Sequence, residues 1–374
     1  MSSAFDVVVI GGGIVGAACA DACARDGRKV LVLDRGPVGG GATAAGMGHL
    51  VTMDDSEAQL AFTTYSRGLW HQLAEELPSG AEYVKCGTIW VAADDEEMAA
   101  VEKKHATYAQ AGLRSEILDA AGIADAEPNL REGLAGGFLV GDDAVVFPPV
   151  VAMHLLRRNK ENPIEVRQQI AVKSIDDDGT VTLADGTTVS GEIVVNAAGC
   201  FSPQLTPGLP VRKRKGHLVV TDRYPGYVRH QLIELGYLKS AHSVDQDSVA
   251  MNIQPRKTGQ MLIGSSRQFD AEGDETELPM VERMLQRATL YAPNLGKLSA
   301  IRVWTGHRAA TPDKAPLIGP SIGSERVWLA TGHEGLGITT GLGTGQMLAD
   351  LLSGREPAVS PEPYSPARFA DQGA

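Results

Sequence analysis

The sequence lacks the cysteine and histidine patterns that hold metals. Only four of its 374 residues are cysteines, Cys19, Cys23, Cys86 and Cys200, and none of them forms a CxxC pair or stands in a histidine cluster. Zinc and iron–sulfur sites require such closely spaced ligands. We therefore predict no metal site, and we interpret Cys19 and Cys23 as small buried thiols on one helix.

Long apolar runs are also missing, and basic residues are few. No segment approaches the roughly 18 consecutive apolar residues of a membrane span, and positions 1–6 lack the basic start of a signal peptide. The net charge is -12, from 46 acidic and 34 basic residues, which disfavours a nucleic-acid partner because phosphate binding needs clustered Lys and Arg. The one basic run, 212–215, is interpreted as a solvated crossing between domains. We expect a cytoplasmic protein with no nucleic-acid partner and no membrane span.

Glycine, by contrast, is abundant, with 43 residues grouped in discrete turns. The first turn has the pattern G-x-G-x-x-G and comprises Gly11, Gly13, Ile14, Val15 and Gly16. It lies between a β-branched strand (5–10) and a small-residue helix (17–25), and the next strand (29–33) ends at Asp34. This order of strand, glycine turn, helix and acidic residue predicts a dinucleotide-binding site.

Each residue of this pattern has a physical task. Gly11 permits the tight turn, Gly13 lets a pyrophosphate approach the backbone, and Gly16 lets the helix pack close to the strand. The helix start offers N–H groups and a partial positive charge to phosphates. Asp34 would accept hydrogen bonds from ribose hydroxyls, which disfavours NADP. The alternative is a glycine turn that binds no ligand.

A Gly/Ala-rich loop at 35–49 follows the second strand directly. A domain that binds only NAD normally continues to a third strand through another helix, so this loop favours FAD. Small residues such as Thr43, Ala45 and Gly46 would let a flat ring system lie against the backbone. A flexible surface loop is the alternative.

A second glycine-rich loop, within 329–345, again joins a strand to a helix. Its backbone N–H groups would point at whatever lies over the helix start, and a reduced flavin carries negative charge along its N1–C2=O edge. Such donors would favour flavin reduction. A second phosphate site or a plain tight turn remain alternatives.

Arg308 is a candidate for binding a carboxylate. It follows a predicted strand, and a planar guanidinium suits bidentate capture of a carboxylate. For a single arginine, a surface ion pair is the simpler alternative. His49, Tyr237 and His333 are further candidates for lining a pocket, although a histidine in such a position is more often structural.

The order of elements predicts an α/β protein with two-domain α+β organisation. A Rossmann-like FAD-binding domain would take residues 1–50, 145–210 and 310–374. A β-rich substrate-binding domain would take residues 51–144 and 211–309. The Pro-rich tail from residue 356 is expected to be loose.

The chain resembles the D-amino acid oxidase superfamily, in the branch of glycine oxidase and sarcosine oxidase, over nearly its whole length. The resemblance rests on VVVIGGGIVG (7–16), ATAAGMGH (42–49), VVNAAG (194–199), GHRAATPDKAPLIG (306–319) and ATGHEGLGITTG (330–341). Within the family, the segment at 46–59 is similar to the flavin subunit of bacterial D-hydroxyproline dehydrogenases.

The resemblance implies a substrate domain of the glycine/D-amino acid oxidase type, with Arg308 binding the substrate carboxylate. It implies non-covalent FAD, since no cysteine stands at 309–313, where monomeric sarcosine oxidases attach their flavin. In the substrate strand, Met251 and Asn252 stand where glycine oxidase-like chains often carry a tyrosine, and Met251 is taken as a pocket residue. The remaining cofactor contacts that it implies are Arg35, Ala42, Met47, Val172, Gly199, His333, Gly335, Leu336, Gly337, Ile338 and Thr339.

The expected reaction is hydride transfer from the Cα–H of a D-amino or cyclic imino acid to flavin N5, with D-hydroxyproline dehydrogenase as the preferred activity. An oxygen-using glycine, sarcosine or D-amino acid oxidase is the main alternative. A flavin-carrying electron-relay or structural subunit is an alternative of another class, and a NAD-dependent dehydrogenase is a third. The expected partners are the small amino or imino acid substrate and either an electron acceptor or small partner subunits.

Overall fold

The computed structural model describes residues 4–236, 247–269 and 271–372. The helices of these residues are α1 (Ile14–Arg25), α2 (Ala42–Ala45), α3 (Glu57–Leu73), α4 (Asp95–Gln110), α5 (Ala120–Ala126), α6 (Pro148–Arg158), α7 (Ser202–Leu205), α8 (Leu278–Tyr291) and α9 (Gly337–Leu352). Among the same residues, no helix is long and apolar enough to span a membrane.

The described residues form eighteen strands, of which all but the short β3 and β7 fall into the two mixed sheets of an α/β protein. They are β1 (Phe5–Ile10), β2 (Val30–Asp34), β3 (His49–Leu50), β4 (Thr88–Ala92), β5 (Glu116–Asp119), β6 (Gly136–Val140), β7 (Ala144–Val145), β8 (Glu165–Gln168), β9 (Val172–Ile175), β10 (Thr180–Leu183), β11 (Thr188–Asn196), β12 (Arg212–Thr221), β13 (Gln231–Glu234), β14 (Ser248–Pro255), β15 (Met261–Phe269), β16 (Ala300–Ala310), β17 (Leu317–Pro320) and β18 (Val327–Thr331).

The chain divides into two compact units. Unit 1 comprises Met1–Ala81, Phe147–Lys213 and His307–Ala374, and unit 2 comprises Glu82–Val146 and Arg214–Gly306. Residues 51–81, which the sequence assigned to the substrate domain, therefore fall in unit 1.

Helix α3 explains this difference. The indole Nε1 of Trp70 donates hydrogen bonds to the carbonyl oxygens of Ile338 and Thr339, at 3.2 and 2.9 Å, in the first turn of α9. Because these bonds tie α3 to α9, the segment around α3 belongs with the C-terminal part of the chain.

The sheet of unit 1 has the order β17-β18-β11-β1-β2-β8. Strand β1 lies parallel to both β11 and β2, with Val9 opposite Val195 and Val32. A strand that is buried on both faces has a continuously apolar sequence. For this reason β1 could be predicted correctly from its sequence. Strands β9 and β10 extend β11 through antiparallel pairing, with turns that contain Gly179 and Gly186, both at positive φ.

Helices α1 and α9 pack closely against each other, and glycine residues of α9 lie at their contact. A Cβ built on Gly345 would lie 2.3 Å from the carbonyl oxygen of Ala18, and one built on Gly341 would lie 3.6 Å from that of Ile14. The absence of a side chain therefore sets how near the two helix backbones approach.

We predict that Gly345→Ala lowers the free energy of unfolding by about 2 kcal/mol, because the added methyl overpacks a backbone contact. Gly68→Ala is the matched control, since Gly68 lies inside α3, is exposed, and would have no atom within 4 Å of an added Cβ. It should stabilise the protein by roughly 0.5–1 kcal/mol through helix propensity. Urea unfolding measures both; equal effects of the two substitutions would contradict the packing argument.

The sheet of unit 2 has the order β16-β12-β15-β14-β13-β4-β6-β5. One of its faces is an aliphatic core, built from side chains such as Ile89, Leu232, Ile253 and Ile263, and covered by Met284 of α8. Side chains on a strand point alternately to the two faces, so the core residues on β14 recur at every second position.

Met251 lies on this core face of β14. Its side chain is 0% exposed and belongs to the aliphatic cluster with Ile253. The prediction that Met251 lines the substrate pocket is therefore wrong, because the strand alternation places its neighbour, Asn252, on the other face.

One further expectation is wrong and another holds in part. The C-terminal tail is ordered: Tyr364 is buried, stacks 4.6 Å from the ring of Phe62, and donates a 2.6 Å hydrogen bond to the carbonyl of Ala58. The basic run begins strand β12 and contains a boundary between the two units, after Lys213, as expected of a crossing. Arg212 is exposed, but Arg214 and Lys215 are buried, so only the first half of the run is solvated. Lys215 Nζ pairs with Glu277 at 2.9 Å, which offsets the cost of burying its charge.

Candidate cofactor and substrate site

The turn between β1 and α1 requires glycine at two positions. Gly11 has a φ of +109°, and a Cβ there would lie 2.4 Å from the carbonyl oxygen of Ala197. A Cβ on Gly16 would lie 1.9 Å from the carbonyl oxygen of Gly11. The chain can therefore turn sharply out of the sheet and start α1 directly against the strand, as the glycine pattern predicts.

The start of α1 is open to an anion. Its N-cap is Gly13, which has no side chain to cap the helix. One first-turn donor is used, because the amide of Ile14 donates to Thr43 Oγ1 at 2.9 Å. The amides of Val15 and Gly16 have no intrahelical acceptor at this position. Together with the helix dipole they form an anion site suited to a pyrophosphate.

Asp34 stands at the end of β2 beside this turn. Its carboxylate accepts hydrogen bonds from the amides of Gly12, at 2.6 Å, and Gly36, at 2.7 Å. A carboxylate has about four acceptor positions, so two backbone bonds orient the group and leave capacity for ribose hydroxyls. Next to it, the guanidinium carbon of Arg35 lies 3.6 Å from the ring centroid of Phe201.

The loop after β2 is fixed against the start of α9. A Cβ on Gly46 would lie 2.9 Å from Ile338 Cδ1. Thr339 Oγ1 donates to the carbonyl oxygen of His49 at 3.0 Å and accepts from the amide of Val51 at 3.2 Å. The structure thus brings together two glycine-rich loops that are nearly 290 positions apart in the chain.

The second glycine-rich loop is in turn tied to strand β16. The amide of Glu334, whose φ is +50°, donates to the carbonyl oxygen of Ala309 at 2.8 Å. Gly332 has a φ of +78°, and a Cβ there would lie 2.6 Å from Thr311 Cγ2. These contacts bring the start of α9 next to Arg308.

Arg308 is half-buried at this junction within unit 1. A Cβ built on Gly335 would lie 3.8 Å from Arg308 Nε, so the guanidinium stem passes directly over the loop. The charge of Arg308 is also near enough to His49 to lower the pKa of that imidazole.

His49 is neutral at physiological pH. Burial and the charge of Arg308 lower its pKa to about 3. Its Nε2 atom is buried and has no hydrogen-bond partner among the residues that the structure describes. A buried polar atom normally has a partner, so this atom marks a place where a ligand or water completes the site.

His333 is buried for a structural reason. Its Nε2 lies 2.9 Å from Thr344 Oγ1, and burial lowers its pKa to about 3. This contact holds the loop before α9 against the helix. The imidazole of His333 therefore has a structural role.

These two histidines predict acid sensitivity. An unfolded histidine titrates near 6.5, while the folded pKa values are about 3. Stability is therefore full above pH 6.5 and falls as the pH drops toward 3, because only the unfolded chain takes up the protons. When the pH is lowered from 7.5 to 5.5, each histidine should reduce the free energy of unfolding by about 1.4 kcal/mol.

Urea unfolding of the protein and of His333→Gln at the two pH values measures this loss. The variant should show a pH-dependent loss smaller by about 1.4 kcal/mol. Parallel loss in both proteins would contradict the burial of a neutral imidazole.

The other predicted residues are placed as follows. Val172 lies on β9 and packs against the apolar cluster that contains Ile10 and Leu33. Gly199 has a φ of +58°, and its carbonyl accepts from Thr331 Oγ1 at 3.0 Å. Tyr237 lies outside the described residues. The predicted contacts that lie in the two glycine-rich loops of unit 1 are Ala42, Thr43, Ala45, Gly46, Met47, Gly335, Leu336, Gly337, Ile338 and Thr339.

Unit 1 thus fits FAD on its own geometry. The uncapped start of α1 suits the pyrophosphate, Asp34 suits a ribose, and the start of α9 lies against the loop at 42–50 where a flat ring can approach backbone. The side-chain-free Gly337, whose Cβ would lie 3.6 Å from Val15 Cγ2, joins the starts of α1 and α9. Sequence reasoning missed Trp70 and Gly345, which hold α9 in place, because nothing local distinguishes them from ordinary helix residues.

Comparison with known proteins agrees with this geometry. The chain is 28% identical over 376 residues to glycine oxidase of Pseudomonas putida, covering 96% of this chain and 98% of that protein. It is 27% identical over 434 residues to D-amino acid dehydrogenase of Methylobacterium nodulans, covering 97% and 99%. The crystal structure of glycine oxidase from Geobacillus kaustophilus superposes with a TM-score of 0.87 at 25% identity, covering 97% and 98%.

A family profile described as FAD dependent oxidoreductase matches residues 6–351. The predicted resemblance, the fold class and the cofactor are thereby confirmed. The chain belongs to the FAD dependent oxidoreductase family (DAO), and it is an FAD-binding enzyme.

Proposed function

We propose that this enzyme oxidises the C–N bond of a small D-amino or cyclic imino acid, with D-hydroxyproline as its substrate. The observation that carries the proposal is the pairing of Arg308 with the neutral His49 beside the start of α9. The guanidinium of Arg308 suits a carboxylate, and the neutral imidazole of His49 suits an amine. An α-amino acid carries both of these groups on its Cα atom.

Arg308 binds the substrate carboxylate. Its half-buried guanidinium can form two parallel charge-assisted hydrogen bonds, which fix both the position and the orientation of the acid. Holding the Cα–H in a reactive geometry accounts for much of the rate of such a transfer.

His49 faces the amine end. Its imidazole stays neutral at the pH of catalysis, so Nε2 can accept a hydrogen bond from a substrate N–H without repelling it. The substrate nitrogen must itself be neutral, because its lone pair drives the hydride out of the Cα–H bond. No protein side chain has to take a proton from carbon in this reaction.

Bound FAD would supply the hydride acceptor, which is its N5 atom. The residues proposed to hold it are the first turn of α1, Asp34, the loop at 42–47 and the loop at 333–339. The start of α9 has no side-chain cap, so its backbone N–H groups and dipole are available to stabilise negative charge. We propose that the cofactor is bound without a covalent link.

The test is anaerobic addition of D-, L- and cyclic amino acids to the holoenzyme. D-Hydroxyproline should bleach the visible absorbance of the oxidised flavin most efficiently. If no amino or imino acid bleaches it, the protein is instead an electron-relay or structural flavoprotein, and the proposal fails.

An oxygen-using oxidase is the second candidate, and the identity with glycine oxidases favours it. Oxygen consumption by the purified enzyme separates the two. A dehydrogenase should turn over with an artificial electron acceptor and consume oxygen slowly, and an oxidase should need no acceptor. Dependence on a co-purifying small subunit would identify a physiological acceptor.

A further inference from the structure

One side chain of α3 is bonded to the backbone at the start of α9, within unit 1. The indole of Trp70 is 0% exposed, and its Nε1 atom donates to two successive carbonyl oxygens of the first turn, those of Ile338 and Thr339. Helix carbonyls normally accept from the amide four residues further on, so these two bonds are additional to those of the helix. The indole can therefore change the charge distribution of this turn as well as hold it in place.

The two carbonyls belong to peptide groups with different tasks. The carbonyl of Ile338 shares its peptide group with the N–H of Thr339, which stands in the first turn and has no intrahelical acceptor. The carbonyl of Thr339 shares its peptide group with the N–H of Thr340, which closes the turn by donating to the carbonyl oxygen of Leu336 at 2.8 Å. Hydrogen bonds in a chain polarise one another. The indole therefore strengthens the partial positive charge of both N–H groups.

The same turn is bonded to a loop that lacks a ligand for one buried atom. Thr339 Oγ1 donates to the carbonyl oxygen of His49 and accepts from the amide of Val51. The buried Nε2 atom of His49 has no hydrogen-bond partner among the residues that the structure describes. Such an atom marks a place for a bound group. The turn to which Trp70 is bonded is thus joined directly to a residue that faces a ligand position.

We propose that Trp70 is a positioning residue that raises the reduction potential of the bound flavin. The inference rests on the proposed function, in which the start of α9 stabilises negative charge on the flavin. Two-electron reduction adds negative charge along the N1–C2=O edge of the ring, so N–H donors held at that edge stabilise the reduced form more than the oxidised form. In this role Trp70 touches neither the flavin nor the substrate, and it acts through the backbone of α9.

The alternative is that Trp70 only ties α3 to α9. Removing a purely structural tie would lower the melting temperature and leave the potential of the bound flavin unchanged. The two helices also meet at a second point, one turn before Trp70 on α3, because a Cβ built on Gly343 would lie 2.2 Å from Ser66 Oγ. Loss of the indole N–H alone therefore leaves a packing contact that keeps α3 against α9.

The experiment removes the N–H and keeps an aromatic ring, by the substitution Trp70→Phe in the holoenzyme. Anaerobic equilibration with redox dyes gives the midpoint potential of the flavin. We expect the equilibrium constant for two-electron reduction to fall about tenfold, the size of a charge interaction with a partly buried helix end. This corresponds to a midpoint potential about 30 mV lower. Affinity for oxidised FAD should stay close to that of wild type, because the oxidised ring carries no such charge.

The matched control is Trp90→Phe. Trp90 lies on β4 in unit 2 and is also 0% exposed, and its Nε1 atom has no hydrogen-bond partner within residues 4–236, 247–269 and 271–372. Its replacement removes the same buried N–H and should leave the flavin potential as in wild type. If Trp70→Phe does not fold, 3-benzothienylalanine at position 70 provides the second variant. Its sulfur replaces the N–H in a ring of nearly the same shape, and the potential should again fall by about 30 mV.

The outcomes separate this role from the proposed reaction, because the potential is measured without any amino acid. A lower potential in the Trp70 variants and an unchanged one in Trp90→Phe supports the role of Trp70, even if no amino or imino acid bleaches the flavin. An unchanged potential in a folded, FAD-loaded Trp70 variant, or an equal fall in Trp90→Phe, refutes it even if the substrate is D-hydroxyproline. Loss of FAD from both Trp70 variants also refutes it. Melting temperature and FAD content show which proteins are folded and loaded.

Discussion

Replacing Arg308 with leucine should lower kcat/KM for the substrate by about 10²–10³-fold, mainly through KM. The guanidinium lies beside Gly335 and His49, in the position proposed for the carboxylate. Removing one member of a partly buried charge pair costs about 3–4 kcal/mol, which corresponds to about two to three powers of ten in rate. The visible spectrum and FAD content should stay as in wild type, because Arg308 is not among the residues proposed to hold the cofactor.

Arg302→Leu is the control for this substitution. Arg302 lies on the same strand, β16, but it is exposed. Its replacement should leave the steady-state constants close to those of wild type. Arg308→Lys should retain part of the affinity, since it keeps the charge and loses the planar fork. A normal KM in Arg308→Leu would remove this residue from the substrate site.

Replacing Gly16 with valine should abolish FAD binding. Even the Cβ would lie 1.9 Å from the carbonyl oxygen of Gly11, so α1 cannot start where it does, and its first-turn amides move away from the pyrophosphate. We expect the purified variant to be colourless, with a dissociation constant for added FAD raised by at least about 100-fold, as loss of several charge-assisted hydrogen bonds implies.

The control for Gly16→Val is Gly68→Ala. Gly68 is exposed inside helix α3, and no atom lies within 4 Å of its Cβ position. This variant should be yellow and should bind FAD as wild type does. Circular dichroism of both proteins shows whether Gly16→Val has lost the cofactor site or the whole fold. Normal FAD content in Gly16→Val would contradict the packing of α1 described here.

Local patterns in the sequence predicted much of unit 1. The apolar run of β1, the glycines of the following turn and the acidic end of β2 each depend on neighbours within a few residues, so their structure could be inferred from spacing. Boundaries were less accurate: the sequence indicated a helix after the second glycine-rich loop, but it did not show that the helix begins at Gly337. Glycine and threonine in the first turn have low helix propensity, so no local pattern marks its start.

Contacts between distant segments could not be inferred in the same way. Nothing in the sequence around Trp70 indicates that its indole bonds to the first turn of α9, and so α3 was assigned to the wrong unit. The link between Glu334 and Ala309 depends on a positive φ at a non-glycine residue, which no pattern signals.

The substrate strand shows a second kind of limit. The segment with Met251 and Asn252 was recognised, but which residue faces the core depends on register, and register is set by the neighbouring strands. A shift of one position exchanges the two faces. That Met251 faces the aliphatic core therefore became visible only with the strand pairing and the packing.

The most direct test of the whole account is an anaerobic titration of the holoenzyme with D-hydroxyproline, followed by flavin absorbance, in wild type and in Arg308→Leu. We expect complete bleaching in wild type at low substrate concentration, and bleaching in the variant only at concentrations about 100-fold higher. Identical titration curves for the two proteins, or a wild-type flavin that stays oxidised with every amino and imino acid, would contradict it.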